Sequence, residues 1–323
     1  MNPNKIKGIL IGVALGDALG APHEFNYQHN DYTGKLIHPL KLFNRFHGET
    51  IFKVGSVTDD TEMTLTLANQ IIKDNFGNSD FLLTEVPIYN KNNVILAYEE
   101  WATHSKMLGK NTRALFKNLK TVNGYQNRYE KIFSVPNEEW TQSNGSLMRC
   151  SPLIIYPDFN PLIIDTALSN PHPVNRDCGI IYTYILKLLS AGRQLPPIDE
   201  LINYTKEQSI IDVISDVKNN ILRDISPKAV RGWVVTALYC ALYSIYNIND
   251  INEAFRIFII MKGDTDTNAA ILGALYGAKL GYNRLYENFI NKENIDILLT
   301  NNRILNNIDD ISDKLYKIYS LRK

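Results

Sequence analysis

Glycine recurs at every fourth position near the start of the chain, at Gly8, Gly12, Gly16 and Gly20, inside an otherwise small and apolar run. A period of four in such a run is helical, and it places all four glycines on or near one face. Each glycine in a helix costs up to about 1 kcal/mol relative to alanine, so the stripe needs a compensating contact. Close backbone approach of a second helix is the simplest one. A matching stripe lies far downstream, at Ala269, Ala270, Gly273, Ala274, Gly277 and Ala278. No Gly-Lys-Ser/Thr follows the glycines, so they do not form a phosphate loop of that type.

The downstream stripe is preceded by Lys262-Gly-Asp-Thr-Asp-Thr-Asn268. Asp264 and Asp266 offer carboxylates, and the threonines add hydroxyl and carbonyl oxygens, the ligands a hard divalent cation takes. Two residues of regular helix turn the chain by about 200°, so these groups converge only in a loop entering a helix. The spacing therefore predicts Asp264 and Asp266 on a loop and N-cap, with a helix over 267–278. Mg²⁺ rarely binds through one segment alone. A second acidic cluster stands upstream, Thr58-Asp59-Asp60-Thr61, whose adjacent carboxylates repel unless a cation lies between them.

Helix capping is the competing explanation of each cluster, because Asp and Thr are favoured at helix starts. Two clusters, each opening an apolar or small-residue helix, favour a shared site for two Mg²⁺ ions with a bridging carboxylate. Asp59 and Glu62 have capping-box spacing. Glu24, just past the glycine helix, is either a general acid/base or an ordinary exposed residue. Asp17 falls on a buried helical position and is expected to hydrogen-bond locally. The stretch from Ser143 to Arg149 is read either as a nest of amides for an anion such as a diphosphate or as a plain turn before a helix. His172, between Pro171 and Pro173, is either a ligand contact or a rigid loop residue. Trp140 and Trp233 are candidate stacking partners for a base or members of the core.

Apolar periodicity predicts helices over 61–73, 94–105, 112–119, 176–191, 198–207, 211–222, 233–245 and 254–261, with a helical tail over 285–319. Residues 26–54 read as a long loop, and 123–140 as a polar connection. No alternating strand series or repeat stands out. The expected fold is all-α, a single domain over residues 1–323 without a linker. A chain of this size buries about three quarters of its unfolded surface.

Lys and Arg balance Asp and Glu at 34 each, which gives no electrostatic ground for nucleic acid or an anionic membrane as partner. Cys150, Cys178 and Cys240 form no C-x-x-C pair, so a reducing, cytoplasmic setting is expected. Asp17 and the continuing helix argue against a cleaved leader despite Lys5 and Lys7, and 233–246 is too short and mixed to span a bilayer. A monomer is expected.

Taken together, these residues resemble the ADP-ribosylglycohydrolase family over nearly the whole chain. The anchors are Gly12-x-x-x-Gly-Asp-Ala-Leu-Gly20 with Glu24, Thr58-Asp-Asp-Thr61, Asn144-Gly-Ser-Leu-Met-Arg149, His172-Pro173 and Gly263-Asp-Thr-Asp-Thr267 with Gly273-Ala-Leu-x-Gly-Ala278. The resemblance implies an orthogonal helical bundle with a binuclear metal site at helix N-termini. Thr58, Asp59, Asp60, Asp264, Asp266 and Thr267 match the metal-ligand motifs, for two Mg²⁺ ions with Mn²⁺ as a substitute. Glu24, with Asp59 and Asp60, matches the catalytic carboxylates. Asn144, Gly145, Ser146, Leu147, Met148 and His172 match regions that contact substrate. The implied reaction hydrolyses the N- or O-glycosidic bond between ADP-ribose and a protein side chain or small molecule. Acceptor choice is expected to depend on the 26–54 segment.

Lys262 and Ser146 stand where the family commonly has glycine. Lys262 adds a cation beside the metal loop, and so keeps open a weakly active or inactive relative that binds ADP-ribose or serves structurally. A prenyl-diphosphate enzyme is a further reading of Asp59-Asp60-x-Glu62, but it requires a second, helix-borne i, i+4 acidic pair, which Asp264-x-Asp266 does not supply.

Overall fold

The computed structural model describes residues 1–25, 32–44, 48–77, 79, 82, 84–134, 141–288 and 292–321. The chain begins with α1 (Pro3–Phe25), followed by a hairpin of β1 (Pro39–Asn44) and β2 (Gly48–Val54). Next come α2 (Asp59–Phe76), α3 (Lys91–His104), α4 (Lys110–Phe116), α5 (Val122–Phe133), α6 (Gly145–Arg149), α7 (Asn160–Ala167) and α8 (Pro173–Ser190). The second half holds α9 (Gln208–Lys218), α10 (Val234–Asn247), α11 (Ile251–Ile260), α12 (Thr265–Leu280), α13 (Tyr282–Asn288), α14 (Lys292–Asn301) and α15 (Ile308–Ser320). Short 3₁₀ turns lie at Ser151–Ile155, Ile198–Tyr204, Lys228–Val230 and Arg303–Leu305. The fold is all-α apart from the small hairpin. No described helix is long and apolar enough to cross a membrane.

The two small-residue stripes meet as expected. Gly8 faces Gly277, Gly12 faces Gly273, Gly16 faces Ala269 and Gly20 faces Thr265, so α1 and α12 run antiparallel in direct backbone contact. A Cβ added at Gly12 or Gly16 would overlap the carbonyl oxygen of Gly273 or Ala269. Only glycine allows this approach, and the packing gained on both backbones offsets its helix penalty. The paired register has a functional consequence: it sets the C-terminal end of α1 beside the N-terminal end of α12. The Thr265 hydroxyl locks that junction by donating to the Gly20 carbonyl at 2.8 Å.

Around this pair the apolar faces of α2, α8, α10, α11 and α15 close one continuous buried cluster, with Leu272, Tyr276, Ile185, Leu238, Phe255 and Leu315 inside it. Residues 265–278 are buried throughout, which fits a helix whose apolar and small residues are spread all round.

Two expectations fail. The 26–54 segment contains the β1–β2 hairpin, paired antiparallel from Pro39↔Val54 to Asn44↔Gly48 with an irregularity between Pro39 and Lys41. The irregular register and isolated pair explain why alternation is weak there. Residues 26–31 and 45–47 of that segment lie outside the described residues. The polar connection expected over 123–140 contains α5, started by the Thr121 hydroxyl accepting from the Gly124 amide at 3.1 Å. Its buried anchor is Tyr125, stacked on Phe116, and one aromatic anchor leaves little periodic signal. Trp140, the candidate stacking residue, lies outside the described residues.

Candidate metal-dependent active site

The α1–α12 seam and the start of α2 converge on a cleft of about 530 Å³. Its floor is acidic. Glu24, Thr58, Asp59, Asp60, Asp264, Asp266 and Thr267 all line it, so the acidic motifs from both ends of the chain meet in one place.

Asp17 organises the α2 side. Its carboxylate is fully buried and accepts from the Thr58 amide at 2.9 Å, the Thr58 hydroxyl at 2.7 Å, the Thr61 amide at 3.1 Å and the Thr61 hydroxyl at 2.5 Å. Asp17 thus caps α2 from another helix, 41 residues away in sequence, and does not bond locally as expected. The expected capping box is absent too. Glu62 accepts from Trp101 Nε1 and Ser105 Oγ, each at 2.8 Å. With capping done from α1, Asp59 and Asp60 are left to the cleft. Asp59 Oδ2 accepts the Gly109 amide at 3.1 Å. Asp60 Oδ1 is buried with no hydrogen-bond partner among the described residues.

On the α12 side, Asp264 occupies the N-cap position without a side-chain capping bond, but Asp266 lies in the first turn and not on the entering loop as expected, because the helix starts at Thr265, two residues earlier than its small-residue stripe suggests. Asp264 Oδ2 instead accepts from Asn144 Nδ2 at 2.7 Å. Asp266 Oδ1 accepts the Thr267 amide at 2.7 Å. Glu24, Asp264 and Asp266 each bring a carboxylate oxygen within 4.8 Å of the others. Arg231 reaches this group, with its guanidinium 2.9 Å from Glu24 Oε1.

Crowded carboxylates taken out of water resist ionisation. Burial pushes Glu24 up to about 7, and the Asp264 charge pushes the same way. Burial pushes Asp59 up to about 7 and Asp17 up to about 6. Asp60 and Asp266 stand well above the usual carboxylate range, through burial first and then through the charges of Asp17 on Asp60 and of Glu24 on Asp266. Asp264 is raised by burial. An oxygen-only donor set with mutual repulsion and an unpartnered buried oxygen fits a hard divalent cation.

The opposite wall is built by two paired segments. Ser143 and Trp233 form an isolated antiparallel bridge. The Asn144 amide donates to the Gly232 carbonyl at 2.9 Å, and the Val234 amide to the Gln142 carbonyl at 3.0 Å. Trp233 Nε1 donates to Gln142 Oε1 at 2.9 Å, so this tryptophan braces the wall and is half-buried. Of the 144–148 residues, Asn144, Gly145 and Met148 line the cleft. Ser146 and Leu147 are buried behind it, with Ser146 Oγ accepting from Asn175 Nδ2 at 3.2 Å. His172 is the N-cap of α8, its Nδ1 accepting the Val174 amide at 3.2 Å, and it is not among the cleft-lining residues. Its neighbour Asn170 does line the cleft, donating to Ser143 Oγ at 2.9 Å. Lys262 is exposed, outside the cleft lining, with a left-handed φ of 66°.

Sequence reasoning missed Arg231, the capping role of Asp17, and the segment 106–113, which closes one side with Lys106, Lys110 and Arg113. That segment has no motif of its own. The amide of Gly109 on Asp59 and the Asn111 side-chain amide, donating to Ser143 Oγ at 3.0 Å, tie it to the site.

The chain matches the family model described as ADP-ribosylglycohydrolase over residues 2–319. It is similar to the ADP-ribosylarginine hydrolase Tri1 of Pseudomonas putida (strain GB-1), at 22% identity over 307 residues, covering 90% of this chain and 74% of that protein. It is likewise similar to the ADP-ribosyl-[dinitrogen reductase] glycohydrolase of Rhodospirillum rubrum, at 22% identity over 297 residues and 88% of each chain. A solved structure titled as an ADP-ribosylglycohydrolase-related protein complex shares the fold, with a TM-score of 0.67 at 19% identity over 98% of each chain.

Proposed function

The chain belongs to the ADP-ribosylglycohydrolase family, and we propose that it is a Mg²⁺-dependent hydrolase releasing ADP-ribose from an N- or O-linked acceptor on a protein side chain or small molecule. The observation that carries this reading is the meeting of Glu24 and Asp60 with Asp264 and Asp266 on one cleft floor. Thr58, Asp59, Asp60, Asp264, Asp266 and Thr267 would hold two Mg²⁺ ions, with Mn²⁺ as a substitute. Ions bound there supply positive charge to substrate oxygens and to the developing transition state.

The chain's own residues divide the remaining work. Asp17 fixes the start of α2, so that Asp59 and Asp60 face the cleft. Asn144 holds Asp264, and the wall of 142–145 carries Asn144 and Gly145 toward the ADP-ribose. Glu24 lines the cleft beside Asp264 and Asp266, placed to exchange a proton with the attacking water or the leaving atom. Positioning in the cleft supplies a large part of the acceleration.

A single domain over 1–323 carries the activity, as a monomer, without nucleic acid or membrane. The setting proposed with it is reducing and cytoplasmic. The test is release of free ADP-ribose from synthetic peptides ADP-ribosylated on Arg or on Ser, in Mg²⁺ and in EDTA. Mg²⁺-dependent release from either peptide is expected. ADP-ribose binding without release from either peptide would point to another linkage or to a binding protein.

A further inference from the structure

We propose that Arg231 sets acceptor choice, occupying from within the place a substrate guanidinium would take and turning the site toward acceptors joined to ADP-ribose through oxygen. This rests on the hydrolase reading above and deepens it.

Three observations carry it. Arg231 lines the cleft, and its guanidinium sits 2.9 Å from Glu24 Oε1 and 3.4 Å from the Glu24 carbonyl. Its side chain is 28% exposed and that of Glu24 13%, so the pair is partly withdrawn from solvent screening. Arg231 is also held in place. Gly232, at a φ of 72°, turns the backbone into the pairing with 142–144, and a Cβ there would lie 3.5 Å from Asp264 Oδ2. Finally, Lys106, Lys110 and Arg113 put further positive charge on the cleft wall.

An arginine acceptor brings a planar cation that needs a carboxylate fork to receive it. Here Glu24 already carries a guanidinium, Asp59 takes the Gly109 amide and Asp264 takes the Asn144 amide. A second guanidinium must displace Arg231 and then lie against it, with like charges at close range. A hydroxyl acceptor brings no charge. In its hydrolysis the water oxygen bonds to the anomeric carbon, the bond from that carbon to the acceptor oxygen breaks, and one water proton ends on the acceptor. ADP-ribose and a free hydroxyl result, with no change of oxidation state.

The test compares kcat/KM for peptides ADP-ribosylated on Ser or Arg, with Mg²⁺, for the wild-type protein, Arg231→Gln and Arg231→Lys. The wild type is expected to favour the Ser peptide by about tenfold or more. Arg231→Gln should shrink that ratio by about tenfold, chiefly through a lower KM for the Arg peptide. Arg231→Lys, which keeps the charge, should retain the Ser preference. Agmatine, a free guanidinium, should inhibit Arg231→Gln and spare the wild type. Equal or faster release from the Arg peptide by the wild type, or a ratio unmoved in Arg231→Gln, overturns the role of Arg231 while leaving the hydrolase intact. Release from neither peptide by any of the three proteins overturns this inference, and the hydrolase reading falls with it only if small-molecule ADP-ribosides are not cleaved either.

Discussion

The start of α2 and the start of α12 carry nearly the same acidic chemistry, yet each is freed from helix capping by a different device. At α2, a fourth carboxylate is recruited from another helix, and Asp17 takes the amides and hydroxyls of Thr58 and Thr61. At α12, the glycine seam holds the helix start rigidly against α1, and Asn144 reaches over to hold Asp264. Neither Thr58 nor Asp264 makes a side-chain capping bond. An acidic helix start whose capping is supplied or waived elsewhere has carboxylates to spare for a ligand.

The two helix starts should be equivalent in use. Asp60→Ala and Asp266→Ala should each lower ADP-ribose release about a thousandfold or more, the scale of removing one preorganised electrostatic group. Circular dichroism should show an unchanged fold. A variant of either residue with full activity would remove that end from the site.

Asp17→Ala probes the α2 device alone. Buried donors on Thr58 and Thr61 would lose their acceptor, at roughly 1–3 kcal/mol for each one left stranded. A fall of about 3 kcal/mol or more in urea unfolding is expected, with activity falling as well. An Asp17→Ala protein as stable as wild type would mean that α2 caps itself.

The sequence made both acidic clusters and the glycine seam visible, because each rests on local spacing. It hid what depends on distant partners. Asp17 looks like any buried polar residue until α2 is packed on it. Arg231 sits in an unremarkable Val-Arg-Gly-Trp run, and only the pairing of 142–144 with 232–234 brings it to Glu24. The hairpin and α5 escaped because an irregular strand pair and a helix with one buried anchor leave little periodicity. His172 stood out by its chemistry, but its ring caps α8 while the neighbouring Asn170 faces the cleft.

Outside the cleft, Glu99 on α3 is a buried carboxylate with neither oxygen partnered among the described residues. Burial lifts it to about 7 from 4.5. A raised folded-state value means its contribution to stability is full below about 4.5 and is lost as pH rises through about 7. Glu99→Gln should therefore flatten part of the fall in stability over that window. At pH 8 it should gain about 1–3 kcal/mol, with ADP-ribose release retained. An unchanged pH–stability curve would show that Glu99 finds a partner in solution.

The smallest effect is expected at Lys262. Lys262→Gly relieves a left-handed backbone, worth about 1 kcal/mol in thermal unfolding. Activity should not change, because the side chain is exposed and outside the cleft lining. A marked change in activity would restore Lys262 to the metal loop.

Whether the acids from the two ends of the chain form one metal site is decided by a calorimetric titration with Mn²⁺ of the wild type, Asp60→Ala and Asp266→Ala. The wild type should bind two ions per chain and both variants should lose binding, though their substitutions lie in different helices. No divalent-ion binding by the wild type, or wild-type binding by Asp60→Ala, would contradict it.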